Sequence, residues 1–144
     1  MATRQDDVQV QLDMIAAVVA SAPKAWKRIF IDHEIQDLER EFNTSTVGFA
    51  VTKHFMVKPR KADFFLDESR RKLVNEVGRR LMARVGVSKI TLDIIVQADQ
   101  RFRIFPQYGL TTRLDGDIAA TTRHLLYSGE DPLLATESVL TRRA

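Results

Sequence analysis

The sequence contains no cysteine, which removes disulfides, thiolate zinc sites and a cysteine nucleophile together and fits a reducing compartment. Glycine is sparse, with six residues that are scattered: Gly48 in a strand-like run, Gly78 in a helix-like one, and Gly86, Gly109, Gly116 and Gly129 where turns or caps are expected. No glycine-rich loop is there to cradle a phosphate, so no nucleotide site is signalled. Long apolar runs are missing as well, and no stretch reaches the length of a membrane span. Residues 14–22 resemble the apolar core of a signal peptide ending in Ala20-Ser21-Ala22. However, Asp6, Asp7 and Asp13 stand where a basic leader belongs, and Pro23 follows at once. The chain is therefore expected to be cytoplasmic.

What is present is ordinary for a globular protein. The chain has 144 residues, 44% hydrophobic and 28% charged, enough to build one core without crosslinks. One domain over 1–144 is expected, with its core at about 6–128 and 129–144 as a C-terminal tail. The net charge is +3, and basic residues cluster as Lys58-Pro59-Arg60-Lys61, Arg70-Arg71-Lys72, Arg79-Arg80 and Arg142-Arg143. That clustering raises nucleic-acid binding as a reading.

Apolar residues at Val8, Leu12, Ile15, Val19 and Ala22 recur at helical spacing and predict a helix over 6–22, closed by Pro23. The period then switches to two, with Ile29, Ile31, His33 and Ile35 on one strand face and Trp26, Arg28, Phe30 and Asp32 on the other. A turn at Asn43-Thr44-Ser45 leads to a second strand, where Val47, Phe49, Val51, Lys53 and Phe55 alternate with smaller or polar residues. A short third strand is expected at 62–66, and Pro59 argues against a central position for it. Asp67 caps a second helix with Leu73, Val77, Leu81 and Val85 as its inner stripe and Gly86 as its stop. Strands at 90–97 and 101–108 follow, joined by Ala98-Asp99-Gln100. A last helix is expected from Asp115 or Asp117 to Gly129, with Ile118, Thr122, Leu125 and Leu126 facing inward. The order α-β-β-(β)-α-β-β-α predicts an α+β fold, an antiparallel sheet with helices packed against it.

Catalytic chemistry is hard to assemble from these residues. His33, His54 and His124 are not at metal-ligand spacing, although pairing of the first two strands could bring His33 near His54. Asp32, Glu34, Asp37, Glu39 and Glu41 form an acidic band that resembles a carboxylate site, but the oxygen order and tight-turn glycine of a calcium loop are absent. A solvated hairpin tip, or a surface for a basic partner, is the plainer reading. Ser69 and Ser88 sit beside helix ends, where capping explains them better than nucleophilic work. No catalytic residue, metal or cofactor is expected. Arg70, Arg71, Arg79, Arg80 and Arg84 could line phosphates, yet acidic residues intersperse them and no helix-turn-helix is evident.

Several landmarks together resemble the YezG-like antitoxin and immunity proteins of bacterial polymorphic toxin systems. They are an N-terminal helix running into Pro23-x-x-Trp26, Phe49 in the second strand, a long middle helix, and a hairpin reading Ile94-x-x-x-x-Asp99-x-x-Phe102 followed by Tyr108. The likeness spans residues 8–128. It implies a non-enzymatic cytoplasmic protein whose partner is a cognate toxin domain, often a nuclease. The expected toxin-binding residues are Asp32, Glu34, Asp37, Glu39 and Glu41. A homodimeric secretion-chaperone-like protein that holds an effector segment, and a nucleic-acid-binding module, are the competing readings.

Overall fold

The computed structural model describes residues 4–116, and the expected last helix, the tail and His124 lie outside them. The fold is α+β. Helix α1 (Arg4–Ser21) leads into β1 (Trp26–Leu38) and β2 (Glu41–Thr52). The short β3 (Arg60–Asp63), helix α2 (Glu68–Val85), β4 (Lys89–Gln97) and β5 (Phe102–Tyr108) complete the described order. The five strands form one antiparallel sheet in the order β3-β2-β1-β4-β5. The two long hairpins therefore meet along β1 and β4, and these central strands are buried on both faces.

Both helices pack on one face. Ile29, Ile31 and Ile35 of β1 and Ile90, Leu92, Ile94 and Val96 of β4 meet Met14, Ile15 and Val18 of α1 and Val74, Val77 and Met82 of α2. The opposite face holds a smaller apolar cluster of Phe30, Phe49, Val51 and Ile95, with the Phe30 and Phe49 rings 4.9 Å apart. Alternation along each strand thus sends one set of side chains to each core.

Helix α2 begins and ends where its sequence signals say. Asp67 accepts from the backbone N–H of Arg70 as N-cap, and Gly86 closes the helix at φ 82°, a left-handed conformation that favours glycine. Its buried face is Val74, Val77, Gly78 and Met82, so the expected stripe is rotated and Val85 is half exposed. Helix α1 is rotated as well. Val8 and Leu12 are half exposed while Asp7 is buried. The cause is ionic: Asp7 pairs with Arg80 at 2.9 Å and with Arg84, so a carboxylate takes a place that hydropathy assigns to an apolar residue.

The hairpin between β1 and β2 turns at Glu39-Arg40, with Leu38 opposite Glu41, and the expected turn at Asn43-Thr44-Ser45 is strand. Bonds from far along the chain hold this longer ladder. The chain reverses at Gly109 (φ 76°), and residues 110–116 then cross β4 and β1 to reach β2 as a strap. Along this path Thr91 donates to Leu110 O, Gln36 donates to Thr111 and Asp115, and Arg113 donates to Ser45. Asp115, one expected helix start, lies in the turn of this strap. Pro106 is accommodated because β5 is the outermost strand on its side of the described sheet.

Candidate functional site

The five acidic residues expected to form one surface are divided by the structure. Asp32 and Glu34 are buried and face the strap, where Arg113 inserts between them. The Arg113 guanidinium donates to Asp32 Oδ1 at 2.5 Å and lies 3.5 Å from Glu34 Oε2. It also bonds the Asp32 and Ser45 carbonyl oxygens at 3.1 and 2.7 Å. Glu34 accepts the backbone N–H groups of Arg113 at 3.1 Å and Leu114 at 2.9 Å, one on each oxygen. Two buried carboxylates beside one guanidinium, with two backbone N–H groups of the strap donating to Glu34, make an internal clasp. Neither Asp32 nor Glu34 is presented to a partner. Asp37, Glu39 and Glu41 are exposed at the hairpin tip, and Asp37 lies 3.7 Å from Arg79. Position along the hairpin separates the two groups, since Asp32 and Glu34 lie under the strap whereas residues 37–41 lie at the exposed tip. The residue that sequence reading missed is Arg113, which has no local signal and sits some eighty positions from its partners.

The histidines are not brought together. His33 lies fully buried on the helix-covered face, whereas His54 is exposed in the segment after β2. His33 Nε2 donates to Asn75 Oδ1 at 2.6 Å, because a carbonyl oxygen can only accept, and Nδ1 accepts the Thr46 hydroxyl at 2.7 Å. This arrangement holds a neutral imidazole. Burial lowers its pKa to about 4 against the opposing effect of the Asn75 bond, with Arg113 adding to the lowering. No group of three or more metal-binding side chains gathers among the described residues.

The arginines of α2 are mostly engaged within the fold. Arg70 bonds Ser21, Arg71 bonds the Leu66 carbonyl, Arg80 joins Glu76 and Asp7, and Arg84 reaches Asp7. Arg79 stacks over the Phe42 ring with 4.1 Å to its centroid. A row of phosphate-binding cations would need these side chains facing solvent together.

The margin around β3 is built differently. β3 is four residues long and pairs only with the Phe49–Thr52 end of β2. The preceding turn holds Phe55 92% and Met56 85% exposed, and the residues after β3 hold Phe65 89% exposed. Met56 sits at φ 64°, a left-handed conformation uncommon for a side chain of this size. Val57 N–H bonds the His54 carbonyl, and the Lys53 ammonium reaches the Val57 carbonyl, so the turn that displays Phe55 and Met56 is held from within. Lys53, Lys58, Arg60 and Lys61 surround it, all exposed. Beside β3 a cavity of about 620 Å³ opens between Thr46, Gly48, Lys61, Phe64, Phe65 and Arg71. The sequence signal for this margin was Phe55-Met56 inside a lysine-rich segment, which alternation alone reads as the end of a strand.

No helix among the described residues is long and apolar enough to cross a membrane. The chain matches no family model and no curated protein.

Proposed function

We propose that this chain is a protein-binding domain that contacts its partner through the β3 margin. The observation that carries the reading is the near-complete exposure of Phe55 and Met56 in the turn before β3, flanked in the chain by exposed Lys53, Lys58 and Arg60, and of Phe65 past the other end of β3. Large apolar side chains left in water are costly to solubility, and a group of them rimmed by charge is the usual make-up of an interaction site. Aromatic anchors of this kind carry most of the energy of protein interfaces. The lysines and Arg60 around them suit a partner surface that is apolar at its centre and acidic at its rim.

Within that reading, we take the biological role to be the immunity role that the YezG-like resemblance implies: binding and neutralising a cognate toxin domain in the cytoplasm. The exposed tip carboxylates Asp37, Glu39 and Glu41 remain available as a second contact, whereas Asp32 and Glu34 act inside the fold. The test is co-expression with the toxin domain encoded by the neighbouring gene. Survival of the host and co-purification of the two proteins are expected, and both should fail when Phe55 and Phe65 are changed to serine. Survival that is absent with the unaltered chain removes the immunity role.

A nucleic-acid reading rests on one observation of the same margin, cations interleaved with exposed aromatic rings, which can also stack bases. It predicts single-stranded binding that weakens steeply with salt. A binding isotherm with an oligothymidylate that stays flat at low salt eliminates it.

A further inference from the structure

Among the described residues, nothing pairs with the outer edge of β2 over most of its length. The bond from Asp37 N–H to the Ser88 carbonyl fixes the phase of the ladder, because it points the backbone of Asp37 toward the β4 side of β1. The neighbouring Gln36 and Leu38 then point toward β2, where they face Asn43 and Glu41. It follows that Phe42, Thr44 and Thr46 turn their N–H and C=O groups outward. β3 begins its pairing only at Phe49, and among the described residues no strand lies along 41–48. Three donors and three acceptors therefore stand at β-ladder spacing on a margin that ends in the cavity between Gly48, Phe64, Phe65 and Arg71.

We propose that this edge receives an extended, acidic segment of the partner protein as an added antiparallel or parallel strand, with one apolar side chain of that segment seated in the cavity. The inference rests on the protein-binding reading above and specifies how the partner is held. Only an extended backbone matches alternate N–H and C=O groups along a strand edge. The charge of the occupant follows from what flanks the edge. Arg71 and Arg79 of α2 lie over one face of it, at the cavity and over Phe42. Lys61 lies on the other face, 5.2 Å above the Phe49 ring. Asp37 and Glu41 offset Arg79 at the Phe42 end, so the preference for acid rests on Arg71 and Lys61 at the cavity, where Asp63 is the one carboxylate in the lining. A second copy of the chain is disfavoured as the occupant. Two-fold pairing of β2 with itself would set the Arg71 and Arg79 row of each copy against that of the other, a like-charge arrangement of the kind that keeps open edges apart.

The test uses the full chain and three synthetic peptides: Glu-Val-Glu-Val-Thr-Val-Glu, its lysine-for-glutamate counterpart, and the acidic peptide with its central valine replaced by proline. Amide exchange followed by NMR should show Phe42, Thr44 and Thr46 slowed at least tenfold by the acidic peptide, while Asn43 and Ser45, already bonded to β1, stay unchanged. The basic and proline peptides should leave all five unaffected. Thr44→Pro removes an outward donor without touching the β1 ladder, and should weaken the acidic peptide at least tenfold, whereas Thr44→Val should bind as the unaltered chain does. Exchange that lacks this alternation, or a proline peptide that binds equally well, overturns the proposal. So does slowing of the same amides by a concentration-dependent dimer in the absence of peptide. Toxin binding that survives Thr44→Pro but not Phe65→Ser would remove strand addition alone and leave the protein-binding function standing.

Discussion

Charge works differently under the strap and along the β3 margin. Under the strap, Asp32, Glu34 and Arg113 are buried and bonded to one another and to backbone, so their charges fix where residues 110–116 lie. Along the margin, Lys53, Lys58, Arg60 and Lys61 face solvent in the segment that runs from just before Phe55-Met56 to Phe65, and of their side chains Lys53, on the Val57 carbonyl, and Lys61, over the Phe49 ring, are tied to the fold. A buried ion pair is a constraint on one conformation, while an exposed cation beside exposed apolar surface is a feature that only a second molecule can use. Sequence position does not distinguish them, for Glu34 and Asp37 are three residues apart in one hairpin.

The largest effect that separates the two regions should come from Arg113→Met. It leaves two buried carboxylates without their guanidinium and is expected to cost roughly 3–5 kcal/mol in urea unfolding. Adding Asp32→Asn and Glu34→Gln to it should recover much of that loss, because the uncompensated charges are then gone. A smaller effect comes from His33. Its folded-state pKa of about 4 lies below the ordinary 6.5, so the unfolded chain binds the proton more readily. Stability from this residue is complete above about pH 6.5 and is lost as pH falls toward 4, by about 3 kcal/mol in all. Denaturation at pH 7.5 and pH 4.5 measures it, and His33→Gln should flatten the dependence over that window. The smallest effect belongs to the margin: Phe55→Ser and Phe65→Ser should each change stability by no more than about 0.5 kcal/mol. A large loss in either would mean that these rings belong to the fold and not to a partner.

How much of this was legible in the sequence depended on the range of the interactions involved. The caps Asp67 and Gly86 act over three or four residues, and α2 starts and stops at them as expected. Strand alternation likewise placed Ile29, Ile31 and Ile35 on one face. The errors arose where distant partners intervened. Asp7 is buried because Arg80 and Arg84, on another helix, neutralise it, and this turned α1 away from the stripe that Val8 and Leu12 suggested. Asn43, Thr44 and Ser45 have turn-forming composition, but pairing with Gln36, Ile35 and Glu34 and the Arg113 bonds to Ser45 keep them in a strand. The acidic band looked continuous because a linear sequence does not show which of its carboxylates the strap covers. His33 and His54 stayed apart for a similar reason, since one points beneath α2 and the other lies beyond the end of β2. The stretch of β2 edge left unpaired among the described residues and the brevity of β3 are properties of the assembled sheet, and neither had a signal beyond Pro59.

The most direct test of the margin as the binding surface compares it with the hairpin tip. Titration calorimetry would measure the affinity of the neighbouring-gene toxin domain for the unaltered chain, for the pair Phe55→Ser and Phe65→Ser, and for the pair Asp37→Asn and Glu41→Gln. The margin pair should weaken binding by roughly a hundredfold, as loss of two aromatic anchors does at other interfaces, and the tip pair by less than about threefold. A hundredfold loss at the tip with the margin pair unchanged would contradict the account and return the binding role to the exposed carboxylates.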